Sequence, residues 1–375
     1  MSSSIGVGEA DFALLGHQEN WGQIAAIVRA LRPSDTEPMS LDEIRSIVPW
    51  IPPRTVSRIR VRGFPEPADA QGVYIDTFIT PDELRSAAVH PLLGKVRAAA
   101  QVAEREGARI ASLGGFTSIL LEGSLDGMGD RVVFTTGNSL TAALIVKGIE
   151  AGALRLNLAL SDATCLVIGG TGDVGSACAR WLGPRVGRLI LAARHPGRLA
   201  AAARAFRRQG IDAVEVTALE AALPAADVII SAASIAAPMI DLGTTRPHAL
   251  ICDAGYPKNL QANSGLPRHI FWGGIGLALG TFWSEDGMLE RFYRFPVPSL
   301  GHGCMLEGLL LAVARRYEPF SIGRGNITPD RIEEIWRLAE LHGFVLAPFF
   351  NHEGLWPGPH IPAANDVRPS AGAPR

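Results

Sequence analysis

Two groups of residues in this chain have types and spacing suited to chemistry: a thiol at the start of a helix and a glycine-rich turn after an apolar strand. The thiol is Cys304, in Ser299-Leu-Gly301-His302-Gly303-Cys304, a loop that leads into an apolar helix. A cysteine at a helix N-terminus with His302 nearby is expected to have a lowered pKa and to be the better nucleophile for it. Cys165 and Cys252 lie on predicted core strands and Cys178 on a predicted helix, where a thiol behaves as a small hydrophobe. The four cysteines are widely spaced and contain no C-x-x-C, which points away from a disulfide framework or a zinc site. The histidines are scattered, and there is neither an H-E-x-x-H nor a G-x-S-x-G.

The turn is Gly169-Gly170-Thr171-Gly172-Asp173-Val174-Gly175, which follows Cys165-Leu-Val-Ile and opens a helix. That context gives a G-x-G-x-x-G match its meaning. Glycines let backbone N–H groups approach a pyrophosphate, and the following helix points its positive end at that charge. An NAD-binding unit places an acid at the end of the second strand to hold the ribose 2′-hydroxyl. Here that strand ends in Ala192-Ala193-Arg194-His195, and from Arg180 to Arg208 there are eight arginines and no acid. A guanidinium clamps a 2′-phosphate, so Arg194 is the expected clamp and NADP(H) the expected cofactor. A solvated helix face accounts for Arg204, Arg207 and Arg208.

Ligands of such sheets lie outside the carboxyl ends of the strands. There the fifth strand delivers Asp253-Ala-Gly-Tyr256-Pro257-Lys258-Asn259. Lys258 is placed to orient or protonate a carbonyl oxygen, or else it belongs to a plain turn. Ser234, just past the fourth strand, is expected to touch the cofactor or to cap a loop. Gly114-Gly115-Phe116-Thr117-Ser118 offers backbone donors suited to an oxyanion. Thr135-Thr136-Gly137-Asn138 either faces an interdomain cleft or caps the next helix.

These groups have to be held by an α/β scaffold. Strands are predicted at 12–15, 56–61, 73–78, 109–113 and 132–134, with helices at 21–31, 91–107 and 139–154, which together make an N-terminal mixed α/β substrate domain over residues 1–155. Apolar strands at 164–168, 189–193, 213–216, 228–231, 250–253 and 270–272 alternate with helices at 175–182 and 198–209. That alternation predicts a Rossmann-type, doubly wound parallel sheet over residues 156–285, the NADP(H) domain. Helices at 305–316 and 329–341 place a helical segment over residues 286–350, carrying Cys304 and packing back on the cleft. Five prolines after Trp356 predict a disordered tail over residues 351–375. With 375 residues, 47% hydrophobic and 19% charged, the chain can build a large core. A net charge of −2 gives no drive toward nucleic acid. Neither a signal peptide nor a stretch long enough to span a bilayer is recognised, so a reducing cytoplasm is the expected setting.

Taken in order, the motifs resemble the long-chain fatty acyl-(acyl-carrier-protein) reductases best known from cyanobacteria. The stretches that carry the resemblance are Leu14-Leu-Gly-His17, Leu113-Gly-Gly-Phe-Thr-Ser-Ile119, Thr135-Thr-Gly-Asn138, Gly169-Gly-Thr-Gly-Asp-Val-Gly-Ser176, Asp253-Ala-Gly-Tyr-Pro-Lys-Asn259 and Phe320-Ser-Ile-Gly-Arg-Gly-Asn-Ile-Thr328. The resemblance implies a cysteine that carries the acyl group as a thioester, with a glutamate three residues on. Counted back from Phe320 without gaps, these fall on Cys304 and Glu307. It further implies reduction by NADPH of a long-chain acyl thioester, on acyl carrier protein or coenzyme A, to a fatty aldehyde. An acidic carrier calls for a local basic patch, and long-chain substrates imply transient membrane contact. The acyl channel is expected from the first domain at the cleft, where helix 91–107 and Ile119–Leu121 either line it or pack the core. His302 and the segment before Cys304 depart from the family pattern. Two other readings fit the residues alone: a non-covalent dehydrogenase of the shikimate or hydroxy-acid type using Lys258 and Asn138, and an NADP(H)-binding regulator without turnover.

Overall fold

The computed structural model describes residues 9–18, 20–32, 36–63, 69–80, 82–83, 89–115, 131–233, 240–255, 258–260, 269–322 and 325–357. The first elements are β1 (Phe12–Gly16), α1 (Trp21–Ala30), α2 (Leu41–Ile47), β2 (Arg54–Arg62), β3 (Ala70–Asp76), α3 (Val89–Arg105), β4 (Ile110–Leu113), β5 (Val133–Thr135) and α4 (Asn138–Arg155). They are followed by β6 (Thr164–Ile168), α5 (Asp173–Leu182), β7 (Arg188–Ala192), α6 (Pro196–Arg208), β8 (Ala213–Val216), β9 (Val228–Ser231), β10 (Leu250–Asp253) and β11 (His269–Trp272). The remainder holds β12 (Ile275–Ala278), β13 (Thr281–Ser284), α7 (Met288–Tyr293), β14 (Leu300–His302), α8 (Gly303–Val313), α9 (Pro329–Leu341) and β15 (Phe344–Leu346), then a short antiparallel pair within 350–355. The fold is therefore mixed α/β, as expected.

Two six-stranded sheets carry the chain. The first runs β13-β2-β3-β1-β4-β5, with β3, β1, β4 and β5 parallel and β2 and β13 antiparallel at one edge. The second runs β11-β10-β9-β6-β7-β8 and is parallel throughout. Its order reverses beside its first strand, β6, which is the doubly wound arrangement with a crevice at the switch point. β13 falls at the end of the stretch expected to form the dinucleotide unit, yet it pairs with β2 of the first sheet. A third, antiparallel sheet, β14-β12-β15, had no counterpart in the sequence reading. Nor did α2, which a capping box between Ser40 and Glu43 starts. The disordered tail expected over residues 351–375 is corrected at its start, since Asn351 pairs with Gly354 and Trp356 is buried with its indole N–H donating to Ile270 O; the tail beyond 357 and Ile119–Leu121 lie outside the described residues.

Two helices join these layers. α4 runs from the first sheet to the second and is buried along most of its length. A Cβ on its Gly152 would stand 3.0 Å from Leu250, so glycine permits close packing on β10. α8 is buried at every position from Met305 to Val313, because its sequence is apolar on all sides except at Glu307. It lies against β4, where Gly308 N donates to Ser112 Oγ at 3.0 Å. A Cβ at Gly308 would sit 2.1 Å from that oxygen. Gly115, which follows β4, meets Cys304 at the other end of the contact. The helix therefore runs antiparallel to β4 and presents its N-terminus at the carboxyl ends of the strands. Among the described residues no helix is long and apolar enough to cross a membrane.

Because Leu310 is fully buried in the shared core, Leu310→Ala is expected to lower stability by about 2–5 kcal/mol in urea denaturation. A loss under about 1 kcal/mol would contradict the packing of α8 described above.

Candidate active site

Cys304 occupies the first turn of α8, where helix amides have no partner within the helix. Its half-buried side chain lies near the backbone amides of Gly115 and Met305, which favour the thiolate. Gly137, at a φ of +71°, presses on it from the first sheet. A Cβ there would lie 2.2 Å from Cys304 Cα and 2.5 Å from its carbonyl oxygen. From the second sheet, Gly274 O accepts Gly303 N at 2.7 Å. The carboxyl ends of β4 and β11 thus converge on residues 303–304.

One sequence expectation is corrected here. The Cys304 thiol is not lowered: burial pushes it above its ordinary value of 9.0, and the Glu307 charge adds to this, against the backbone amides. His302 contributes nothing, because it is itself neutral: burial, and then the charge of Lys258, push its imidazole down to about 3. The other three thiols are fully buried. Cys165 is pushed up to about 12 and Cys178 and Cys252 are also raised, so all three are chemically inert cores of their elements.

One turn along α8, the Glu307 carboxylate is completely buried. Oε1 accepts from Thr135 Oγ1, while Oε2 accepts from Leu140 N at 2.8 Å and Ser321 Oγ at 3.0 Å. Thr135 Oγ1 also receives Ser321 N at 3.1 Å, and Ser321 Oγ receives Ser139 N at 2.9 Å. The network ties β5, the start of α4 and the strip after α8 to the helix that carries the cysteine. Burial raises the carboxyl pKa even though all three hydrogen bonds oppose it. Thr135 and Ser321 were not foreseen in this role; both fall in quoted motifs, but their common partner lies 172 and 14 residues away.

In the glycine turn, Gly169 (φ +83°) and Gly175 have no room for a side chain. A Cβ at the first would stand 2.7 Å from Ala232 O, and at the second 2.3 Å from Gly169 O. The turn therefore folds tightly before α5, with Gly172 N donating to Gly169 O at 2.8 Å, the close strand-to-helix turn that a pyrophosphate site uses. Thr171 also lines a cavity of about 150 Å³ with Gly170, Gly172, Ser176 and Arg180. Asp173 uses its carboxylate otherwise: it accepts Asn138 Nδ2 at 3.0 Å and Gly325 N at 2.9 Å, which leaves only its backbone for a phosphate. Val174 packs on the core. Ala192 O at the end of β7 accepts the amides of Gly169 (2.9 Å) and Gly170 (3.2 Å). Arg194, two residues on, is exposed beside the turn. Ser234, Tyr256 and Pro257 and Phe116 to Ser118 lie outside the described residues.

Lys258 Nζ donates to Asp253 O at 3.0 Å and lies 5.2 Å from the centre of the Trp272 ring. The Asp253 carboxylate is not available for catalysis, since it caps the amides of Gly255, Asn259 and Leu260. Across the first sheet, the buried Asp76 accepts Gln18 Nε2 and Phe78 N, both at 2.7 Å, a cluster that the sequence reading did not single out. Among the described residues no group of three His, Cys, Asp or Glu side chains could hold a metal.

This chain is similar to a long-chain acyl-[acyl-carrier-protein] reductase of Synechococcus elongatus, 32% identical over 346 residues, which cover 89% of this chain and 98% of that protein. It belongs to that family. The resemblance read from the motifs is therefore established over nearly the whole chain, and the family makes this an oxidoreductase. A family model described as Shikimate / quinate 5-dehydrogenase matches residues 152–271, the stretch that forms most of the second sheet, in keeping with a nicotinamide cofactor. The aminotransferase PigE of a Serratia species is 27% identical over 256 residues, 66% of this chain and 29% of that one. Among solved structures, quinate dehydrogenase from Corynebacterium glutamicum in complex with NAD is 16% identical with a TM-score of 0.39, covering 82% of this chain and 97% of that one.

The raised Cys304 pKa has a direct consequence: alkylation of the free protein by iodoacetamide should rise about tenfold per pH unit from pH 7 to 9, since only the thiolate reacts. A plateau near pH 7 would contradict it. Glu307→Ala leaves three buried donors without an acceptor. It should cost at least about 3 kcal/mol in chemical denaturation, at about 1–3 kcal/mol for each group. Glu307→Gln, which keeps one acceptor oxygen, should cost less.

Proposed function

We propose that this protein reduces a long-chain fatty acyl thioester, delivered by acyl carrier protein or coenzyme A, to a fatty aldehyde, with Cys304 carrying the acyl group and NADPH as reductant. The observation that supports this best is the place of Cys304 in the first turn of α8, pressed by Gly137 from the first sheet and tied through Gly303 N to Gly274 O of the second, where the carboxyl ends of both sheets meet. The tight glycine turn at the start of α5 fits a dinucleotide, and Arg194 just past β7, with no acid between Arg180 and Arg208, favours a 2′-phosphate. The Synechococcus relative's name supports the substrate class.

The Cys304 sulfur attacks the thioester carbonyl. A new S–C bond forms, the bond to the carrier sulfur breaks, and the departing thiol takes up the proton that Cys304 gives up. The step is therefore proton-neutral, which suits a thiol that is protonated at rest. The amides of Gly115 and Met305 stabilise negative charge as it develops at this position. Bound NADPH supplies a hydride to the acyl carbon held on Cys304. Lys258 donates a proton to the carbonyl oxygen; when the S–C bond breaks, that proton passes from oxygen to sulfur, which releases the aldehyde and restores the thiol, and Lys258 regains a proton from solvent.

Cys304→Ala should lower aldehyde formation by more than about a thousandfold and leave the Kd for NADPH unchanged. Arg194→Ala should weaken NADPH by about tenfold or more without affecting NADH. Retention of activity by Cys304→Ala would favour a non-covalent dehydrogenase, and equal loss of both nucleotides would remove Arg194 as the 2′-phosphate clamp.

A further inference from the structure

His302 takes no part in those steps, yet it stands two residues before Cys304, partly buried. The ring is packed against Tyr293 (centroids 5.4 Å apart, 67° between planes) and Phe295 (5.4 Å, 58°). Its backbone is fixed by the pairing of β14 with β12, and the next residue, Gly303, donates to Gly274 O. Just before Gly274, Gly273 N donates to Asp253 O at 3.0 Å, the same oxygen that receives Lys258 Nζ. Lys258 and His302 therefore flank one pair of glycines, and the Lys258 charge acts on the imidazole. Of the other titratable groups nearby, the Tyr293 phenol is carried by one of the two rings packed on His302. Of the rest, Asp253 caps three amides, Cys252 is a buried thiol, and the Cys304 thiol lies near the amides of Gly115 and Met305. Enclosure by two aromatic rings keeps the imidazole neutral, and a neutral imidazole offers a lone pair to an ammonium group that can only donate.

We propose that His302 is a positioning residue whose neutral ring accepts a hydrogen bond from Lys258 and holds that cation on the thioester side of the cleft. The inference rests on the reading that Lys258 serves the acyl carbonyl. A phenylalanine in its place would fill the aromatic pocket without offering a lone pair.

The test uses the full-length protein with His302→Phe and His302→Gln. The first readout needs no turnover. The chain has only three lysines, Lys95, Lys147 and Lys258, so limited acetylation followed by peptide mass spectrometry reports Lys258 against Lys147 as internal standard. Lys258 in His302→Phe should be acetylated at least about threefold faster than in wild type, with a smaller change in His302→Gln, because the ammonium loses one acceptor while keeping Asp253 O. The second readout is single-turnover NADPH oxidation by protein already acylated with palmitoyl-coenzyme A. It should slow by about tenfold in His302→Phe, with partial recovery in His302→Gln and an unchanged Kd for NADPH. Unchanged Lys258 labelling in both variants overturns the proposal. Altered labelling in a protein that turns over no thioester supports the His302–Lys258 contact and counts against the proposed reaction instead. If His302→Phe fails to fold, His302→Gln against wild type decides by the same labelling ratio.

Discussion

A single buried carboxylate holds the centre of this molecule together. Glu307 would be costly to enclose without partners, since an ionised group in a protein interior needs its hydrogen bonds supplied from within. It receives them from three places far apart in the chain: Thr135 at the end of β5, Leu140 N in the first turn of α4, and Ser321 after α8. The first sheet, the connecting helix and the helix that carries Cys304 are therefore registered against one another at one point. Cys304 lies one turn away on the same helix. The carboxyl pKa remains raised, so burial outweighs the three bonds and the charge does not add stability on balance. Its contribution is geometric.

Around that anchor the cleft is built from close backbone approaches. Gly137 against Cys304, Gly303 against Thr141 and Gly308 against Ser112 are contacts that any side chain would push apart. Together they seat α8 between the sheets. Asp173 extends the same design to the dinucleotide side. Its carboxylate bonds Asn138 and Gly325, which locks the glycine turn to the start of α4 and to the strip beyond the cysteine helix. A rigid seat for both the sulfur and the pyrophosphate turn is what a reaction between a covalently held acyl group and a diffusible dinucleotide requires.

Much of the second sheet was legible in the sequence because its strands are continuous apolar runs bounded by turn residues. The ranges 164–168, 213–216, 228–231 and 250–253 coincide with β6, β8, β9 and β10. The antiparallel additions were not legible. β12 to β15 are three or four residues long, and β13 leaves the neighbourhood of the second sheet to pair with β2, a decision made by contacts some 220 residues apart in sequence. The cysteine was found in the sequence, but its electrostatics were read wrongly. A helix N-terminus and a neighbouring histidine argue for a lowered pKa only if the site is wet and the imidazole charged. Here burial dominates the thiol, and the ring is neutral between Tyr293 and Phe295. That Arg194 falls just past β7 was legible because that strand is a continuous apolar run in the local sequence.

The central claim is that the Cys304 sulfur carries the acyl group. Intact-protein mass spectrometry after mixing with palmitoyl-coenzyme A in the absence of nicotinamide nucleotide tests it most directly. The account predicts a gain of one acyl group, located to the peptide containing Cys304 and lost on addition of NADPH as hexadecanal appears. A protein that makes aldehyde without passing through such an adduct, or that carries the adduct on another residue, would contradict it.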